Sequence, residues 1–279
     1  MKRYLILTIF LFTSGYLFSQ YSIDKNKIIE SAMYLEFRVN NNLHFGTGFI
    51  IRDSTETGDF LYLITAKHVL GEYSKPGVFK LKDSTLYITY TGNIYSEVAN
   101  EVSINVQNML NNNLIRFSAD RDIAVIFMGK IIDKRIRYPL AANLKELKVS
   151  KDNPWIMIGS NFITNLEQTR LGTDAFIFGY PKTIGLQKNP QYDYDKPLLR
   201  RGVIAGIYKE KKTIIVDCPS YGGNSGGPVY EIDTNDNRIK LVGVVSQWIP
   251  IVSEYGVNNS DYLVAVSAEI INEVINTFK

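Results

Sequence analysis

The sequence predicts an all-β protein, a sandwich or a barrel, that ends in a helix. Short apolar or alternating runs bounded by turn residues recur along most of the 279-residue chain, and many short strands at regular spacing are typical of these architectures. The chain contains 18 Tyr and 14 Phe, and aromatic residues favour strands. Hydrophobic residues make up 45% of the chain, which is enough for a substantial core.

The predicted elements follow one another with one interruption. Residues 23–34 predict a short amphipathic helix. The runs 45–52 and 60–65 flank a polar tip and predict a hairpin. Residues 140–170 interrupt the strand pattern, and residues 268–278 carry apolar residues at helical spacing that predict a closing helix. The other predicted strands are 34–39, 78–81, 86–90, 114–117, 123–128, 175–180, 202–207, 213–216, 227–232, 241–248 and 262–266.

Residues 1–20 predict a signal peptide. Two basic residues stand near the start, residues 4–12 are almost entirely apolar, and small residues precede the predicted cleavage at Ser19 or Gln20. The alternative is a transmembrane anchor, which needs about 20 apolar residues. This stretch reaches only about 15 residues and polar residues interrupt it. We therefore expect a secreted or periplasmic protein with no stable membrane anchor.

Charge and cysteine content argue against several classes of partner and cofactor. The chain has 31 basic and 28 acidic residues. Removal of the two basic residues of the leader leaves 29 against 28, a net charge of +1, which gives no indication of nucleic acid as a partner. The single cysteine, Cys218, excludes an intramolecular disulfide, and we expect it in the core. We expect no metal or other cofactor, since Asp193 and Asp195 alone supply too few oxygen ligands for calcium.

The most informative motif is the run Gly-Gly-Asn-Ser-Gly-Gly-Pro at 222–228. Glycines on both sides of Ser225 let the backbone adopt tight conformations. Such a loop can aim the backbone N–H groups of Gly223 and Ser225 at one point, where an oxyanion forms when a serine attacks an acyl group. The alternative is a glycine-rich turn with an incidental serine, and a motif of this kind on its own would favour that interpretation.

Two further motifs precede the serine and complete the order His, Asp, Ser that one type of catalytic triad has. His68 follows an apolar strand in the run Leu-Ile-Thr-Ala-Lys-His-Val-Leu, and Asp122 opens a buried-looking strand. The other histidine, His44, precedes a strand and is expected to face solvent or the core. Asp120 competes with Asp122, but we favour Asp122 because the apolar strand begins directly after it. Asp120 and Arg121 are expected to form a solvated turn.

These motifs together resemble those of the trypsin-like (chymotrypsin-fold) serine peptidases, of the bacterial type without disulfides. The markers of that family are Thr-Ala-x-His, Asp-Ile-Ala-x and Gly-Asn/Asp-Ser-Gly-Gly-Pro, and the resemblance extends from about residue 45 to the C-terminus. It implies two packed antiparallel β-barrels, the first at about 34–138 and the second at about 172–267, with a helix at 268–278. It also implies a serine endopeptidase that cleaves proteins or peptides.

The resemblance assigns roles to individual residues. His68 would act as the general base, Asp122 would fix its tautomer, and the N–H groups of Gly223 and Ser225 would bind the oxyanion. In family members activated by cleavage, an aspartate before the nucleophile pairs with the new N-terminus. This chain has Asn224 there, so we expect activity without such cleavage.

The resemblance also implies a substrate pocket. Its wall would include Ser246, Gln247 and Trp248, and its base would lie near Pro219 and Ser220. A base without a carboxylate argues against a preference for Lys or Arg. The Trp248 side chain would narrow the pocket and favour small apolar side chains.

A second class of function is a catalytically silent binding or scaffolding protein on the same fold. The three filled triad positions argue against it. An α/β-hydrolase is excluded, because its triad has the chain order Ser, Asp, His. The sequence leaves the oligomeric state open.

Overall fold

The computed structural model describes residues 28–39, 42–75, 77–91, 95, 99–132, 135–143, 155–181, 191, 193, 195–232, 238–254 and 256–279. The predicted signal peptide and its cleavage site lie outside these residues. The described strands are β1 (Ala32–Val39), β2 (Asn42–Thr55), β3 (Gly58–Thr65), β4 (Gly71–Lys75), β5 (Val78–Leu81), β6 (Thr85–Tyr90), β7 (Asn100–Asn105), β8 (Ile115–Phe117), β9 (Ala124–Ile132), β10 (Arg135–Arg137), β11 (Met157–Gly159), β12 (Asp174–Gly179), β13 (Leu198–Tyr208), β14 (Thr213–Asp217), β15 (Pro228–Ile232), β16 (Ile239–Ser253) and β17 (Gly256–Ser267).

The described α-helices are short and few. They are α1 (Lys67–Leu70), α2 (Val106–Asn111) and α3 (Glu269–Ile275). None of the helices in the described ranges has the length and apolar character needed to cross a membrane. The prediction of an all-β protein with a closing helix is confirmed, because α3 and the 3-10 turn Asn276–Phe278 occupy the predicted position.

The first half of the described chain forms a curled nine-stranded sheet. Its order is β10-β9-β3-β2-β1-β6-β7, with β8 beside β9 and β11 parallel beside β2. The predicted hairpin is β2–β3, and its strands extend to Thr55 and Gly58, closer to the tip than predicted. An ion pair between Arg52 and Asp59 at 2.5 Å links the two strands there, which explains how polar residues continue the ladder.

The second half forms a closed barrel with the order β12-β13-β14-β17-β16-β15. Its interior holds Cys218, which is 1% exposed, so the prediction that Cys218 is a core residue is confirmed. Burial raises the pKa of its thiol to about 11, although the nearby charge of Arg200 acts in the opposite direction. The thiol is therefore protonated at neutral pH.

A further group of buried residues joins the sheet, the barrel and the closing helix into one core. The sheet contributes aromatic and β-branched residues from β1, β2 and β3, the barrel contributes residues from β12, β15 and β16, and α3 contributes its apolar face. Representative members are Tyr34, Phe49, Ile64, Phe178, Tyr230, Leu241, Ile270, Ile271 and Val274. The two sheets consequently share apolar contacts rather than only loops.

The predicted helix over 23–34 is wrong at its C-terminal end. Only a 3-10 turn at Ile29–Ser31 is present there, and β1 begins at Ala32. The pairing of Ala32 with Phe49 places β1 at the centre of the sheet, where its side chains are buried on both faces. Burial on both faces removes the alternation that distinguishes a strand from a helix in sequence. Residues 23–27 lie outside the described part of the chain.

Candidate active site

His68 lies at the exposed corner that follows β3. The strand ends at Thr65, and the buried residues Ala66 and Val69 turn the His68 side chain outward, where it is half exposed. Its Nδ1 lies 2.7 Å from Oδ2 of Asp122. The backbone N–H of His68 donates to Oδ1 of the same carboxylate at 3.0 Å. One carboxylate therefore holds both the ring and the backbone of this corner.

The pairing of β9 with β3 brings Asp122 to the corner. Ala124, the first residue of β9, pairs with Thr65, the last residue of β3, so the residues before β9 lie beside those after β3. Burial raises the pKa of the Asp122 carboxyl, but hydrogen bonds from His68 and Ser246 and attraction to a protonated imidazole outweigh burial. The pKa of Asp122 therefore lies below its ordinary value, and the group is ionised at neutral pH.

The two alternative residues lie elsewhere. Asp120 pairs with Arg121 at 2.9 Å and its side chain is 69% exposed, and His44 is exposed on β2. The prediction of a solvated Asp120–Arg121 turn is wrong for Arg121, whose side chain is only 17% exposed. Its Nη2 donates to the carbonyl oxygen of Glu210 at 3.0 Å, in the turn between β13 and β14. This bond crosses from the first sheet to the barrel.

Ser225 lies in a tight loop before β15, which we call the serine loop (residues 221–227). Its backbone folds through two hydrogen bonds, from Asn224 N–H to the Tyr221 carbonyl oxygen at 3.1 Å and from Gly227 N–H to the Asn224 carbonyl oxygen at 2.9 Å. Gly223 and Gly226 have φ angles of 99° and 85°, which are left-handed values that favour glycine. Glycine at positions 223 and 226 is therefore a requirement of the backbone conformation.

Ser246 connects Ser225 with Asp122, whereas the sequence predicted this residue only as part of the pocket wall. The Ser246 hydroxyl donates to Oδ2 of Asp122 at 2.6 Å, and its carbonyl oxygen accepts from the Ser225 hydroxyl at 3.3 Å. The ladder between β16 and β17 shifts between Val245 and Gln247. Such a bulge leaves the extra residue unpaired and redirects it, which explains how Ser246 reaches both partners.

The predicted pocket residues lie on two segments beside the serine loop. Ser220 is buried and Pro219 is exposed, whereas Gln247 and Trp248 are exposed on β16. Arg200 on β13 also reaches this region, which sequence spacing did not indicate. Its Nη1 donates to the Pro219 carbonyl oxygen at 2.5 Å, and its guanidinium carbon lies 4.3 Å from the centroid of the Tyr221 ring.

The structure gives no candidate metal centre among the residues that it describes, since no group of three His, Cys, Asp or Glu side chains could hold an ion. Asp193 forms an ion pair with Lys196 at 3.6 Å. It also accepts a hydrogen bond from the backbone N–H of Asp195 at 3.1 Å.

Comparison with known proteins places the chain in one family through a family model. The family model described as a trypsin-like peptidase domain matches residues 46–244, which is more than half of the chain. No curated protein matches this sequence. A thermostable serine protease, AL20, from an extremophilic microorganism is 13% identical, with a TM-score of 0.52, and the match covers 90% of this chain and 97% of that one.

Two longer proteases are also similar in structure. An HtrA-type protease, a variant of AlgW with a tripeptide, is 16% identical, with a TM-score of 0.49 over 90% of this chain and 62% of that one. A serine endoprotease from Yersinia pestis is 15% identical, with a TM-score of 0.49 over 89% of this chain and 62% of that one. The matches thus span about 62% of the length of these two proteins. At such identities, the likeness concerns the fold alone.

Proposed function

Since this chain belongs to the trypsin-like peptidase family, it is a serine-type peptidase, and we propose that it is a secreted endopeptidase with the triad His68, Asp122 and Ser225. The observation that carries the proposal is the direct contact between the His68 ring and the Asp122 carboxylate at 2.7 Å, beside the loop that holds Ser225. Ser246 supports it, because its hydroxyl donates to the same Asp122 carboxylate.

In the proposed mechanism, His68 donates its Nδ1–H to Asp122 and uses Nε2 as the base. Ser225 Oγ attacks the carbonyl carbon of the scissile peptide bond while its proton moves to Nε2. The electron pair of the C=O bond moves to oxygen, and the N–H groups of Gly223 and Ser225 stabilise the resulting anion. The imidazolium then donates its proton to the leaving amine as the C–N bond breaks, and water hydrolyses the acyl-enzyme.

The test is the labelling of the mature protein with a fluorophosphonate, which forms a bond between phosphorus and an activated serine oxygen and releases fluoride. We expect the parent to react and the variants Ser225→Ala and His68→Ala to lose the reaction. Peptide turnover should fall on the order of 10⁶-fold in both. The matched control is His44→Ala, which removes the other histidine and should react like the parent.

One observation favours the alternative of a catalytically silent binding protein. The Ser225 hydroxyl donates to the Ser246 carbonyl oxygen, so a change of its rotamer is needed before it donates to His68. Hydrogen bonds of this kind are often long or misaligned without substrate, and the peptidase therefore remains the preferred proposal. A folded parent that fails to react with the probe would reverse the preference.

We also propose that Asn224 makes activity independent of an N-terminus created by cleavage. The Asn224 side chain is 2% exposed and carries no charge that could pair with an ammonium group. Mature protein with a short N-terminal extension should therefore cleave peptides as fast as protein without it. A requirement for removal of the extension would contradict the proposal.

The proposed pocket disfavours basic side chains at the cleaved position. Pro219 and Ser220 supply no carboxylate, and the Arg200 cation at the Pro219 carbonyl oxygen repels Lys and Arg. The Trp248 side chain narrows the proposed pocket, so small apolar side chains should be preferred at the cleaved position. Profiling with a peptide library tests this, and preferred cleavage after Arg or Glu would contradict it.

The proposal of export depends on residues 1–20. Expression of the full chain in a bacterial host should yield mature protein outside the cytoplasm, with an N-terminus near Ser19 or Gln20. N-terminal sequencing of the fractionated protein is the measurement. An uncleaved, membrane-bound product would instead support the transmembrane anchor.

A further inference from the structure

We propose that Thr47, on β2 of the first sheet, is a positioning residue that sets the backbone of the serine loop. The inference depends on the proposed function, since the loop is proposed to bind the oxyanion. Thr47 belongs to neither the proposed triad nor the proposed pocket. Its role follows from the contacts that it makes across the two sheets.

Thr47 holds the carbonyl groups of the two residues whose N–H groups are proposed to bind the oxyanion. Its backbone N–H donates to the Ser225 carbonyl oxygen at 2.8 Å, and its hydroxyl donates to the Gly223 carbonyl oxygen at 2.6 Å. Because a peptide unit is planar, a fixed carbonyl fixes the plane of its whole peptide unit. Thr47 thus restrains peptide units 223–224 and 225–226, which flank on both sides the unit that carries the Ser225 N–H.

The Thr47 side chain is itself held in one orientation. Its hydroxyl oxygen accepts a hydrogen bond from the backbone N–H of Tyr180 at 3.2 Å, so its single hydrogen is directed to Gly223. The backbone carbonyl oxygen of Thr47 accepts a hydrogen bond from the Thr65 hydroxyl at 2.7 Å. The residue is fully buried, where competition from water is absent and a hydrogen bond is stronger.

The serine loop approaches Thr47 so closely that only glycine fits at position 226. A Cβ atom on Gly226 would lie 2.1 Å from the Thr47 carbonyl oxygen, and a Cβ atom on Gly179 would lie 3.2 Å from its hydroxyl oxygen. The backbone of these two barrel glycines therefore packs directly against Thr47 of the sheet. Loss of the hydroxyl would remove the side-chain bond and leave the backbone bond to Ser225 in place.

The competing explanation is that Thr47 contributes only to stability. Ser31 provides a matched control, because its hydroxyl is also fully buried and donates to a backbone carbonyl oxygen, that of Ile28, at 2.6 Å. The Ser31→Ala variant loses the same kind of bond outside the serine loop. Loss of stability alone should therefore affect Ser31→Ala and Thr47→Ala alike.

The experiment compares steady-state kinetics and fluorophosphonate labelling of the parent, Thr47→Ala, Thr47→Ser and Ser31→Ala. Loss of one complete oxyanion donor costs about 10²–10³-fold in kcat, and a displaced donor costs less. We expect kcat and the labelling rate of Thr47→Ala to fall about 10- to 100-fold with little change in KM. Thr47→Ser retains the hydroxyl and should recover most of the rate, and Ser31→Ala should match the parent.

A Thr47→Ala variant with the kcat of the parent would overturn the inference, as would an equal loss in Ser31→Ala. Should Thr47→Ala fail to fold, Thr47→Val takes its place, because it also lacks the hydroxyl but retains the β-branched shape. A parent that does not react with the probe would reject the proposed function itself. The positioning role of Thr47 is then tested by amide hydrogen exchange at residues 223–227, which must be faster in Thr47→Ala than in Thr47→Ser. Equal exchange in the two variants would overturn the inference.

Discussion

The carboxylate of Asp122 accepts hydrogen bonds from the ring of His68, the backbone of His68 and the hydroxyl of Ser246. These donors explain why the group stays ionised although it is partly buried. An ionised carboxylate fixes the imidazole tautomer and stabilises the imidazolium that forms during proton transfer.

Replacement of Asp122 by Asn should lower kcat about 10⁴-fold, because the amide presents the wrong group to Nδ1 and favours the wrong tautomer. The fold should persist, since the side chain keeps its shape. The matched control is Asp120→Asn, which changes an exposed carboxylate two residues earlier and should keep the parent kcat. Peptide hydrolysis by both variants at one pH is the measurement, and a larger loss in Asp120→Asn would assign the role to that residue.

The lowered pKa of Asp122 also predicts how stability depends on acid. A carboxyl group whose pKa is lower in the folded state contributes stability that is fully present above its unfolded pKa, about 3.9, and is lost as the pH falls through the folded pKa. The parent should therefore lose more stability than Asp122→Asn as the pH falls below about 3.9. Urea unfolding at a series of pH values measures it, and parallel profiles would contradict it.

The sequence indicated His68, Asp122 and Ser225 because each stands in a local motif beside a strand. It did not indicate the contacts of Ser246 or Thr47, since these depend on a bulge in one ladder and on the approach of two sheets. Arg121 shows the same limit. It has the polar neighbours of a surface turn, yet its side chain is largely covered and donates to the Glu210 carbonyl oxygen of the barrel.

At the scale of elements, the serine loop depends on glycine to different degrees at different positions. Gly226 has a φ angle of 85°, and a Cβ atom there would meet the Thr47 carbonyl oxygen. Gly222 lies in the same loop, and a Cβ atom there would have no atom within 4 Å among the described residues. The two glycines thus provide a matched pair.

The variant Gly226→Ala should lower the free energy of unfolding by at least about 2 kcal/mol, because backbone strain and a backbone collision add together. Gly222→Ala should change it by less than about 0.5 kcal/mol. Urea unfolding of both variants checks the difference. Equal stability of the pair would show that the loop adopts another conformation in solution.

The β2–β3 hairpin was predictable from sequence, whereas the contacts between the sheet and the barrel were not. Two strand-like runs on either side of a polar tip indicated this hairpin. The placement of β1 was not predictable, because both of its faces are buried, and its sequence then matches a helix as well as a strand. In such a segment, burial in the folded protein decides between helix and strand, and the local sequence does not.

At the scale of the whole molecule, the sheet and the barrel are joined by polar as well as apolar contacts. The Tyr180 hydroxyl donates to the Ala32 carbonyl oxygen at 3.3 Å, and the hydroxyls of Ser31 and Tyr230 lie 3.3 Å apart. With the shared apolar core, these bonds make it costly for one half to unfold while the other remains folded.

The molecule should therefore unfold in one cooperative transition, and its two tryptophans offer a direct test. Trp155 is buried in the core of the first sheet, and Trp248 pairs with Leu263 in the barrel. The variant Trp248→Phe leaves a fluorescent reporter only in the sheet, and Trp155→Phe leaves one only in the barrel.

Because each substitution alters stability by itself, fluorescence is compared with far-ultraviolet circular dichroism within each variant. Coincident midpoints of the two signals in both variants would establish a single transition. A fluorescence midpoint separate from the circular dichroism midpoint in either variant would show that the sheet and the barrel unfold independently, and that their shared core couples them only weakly.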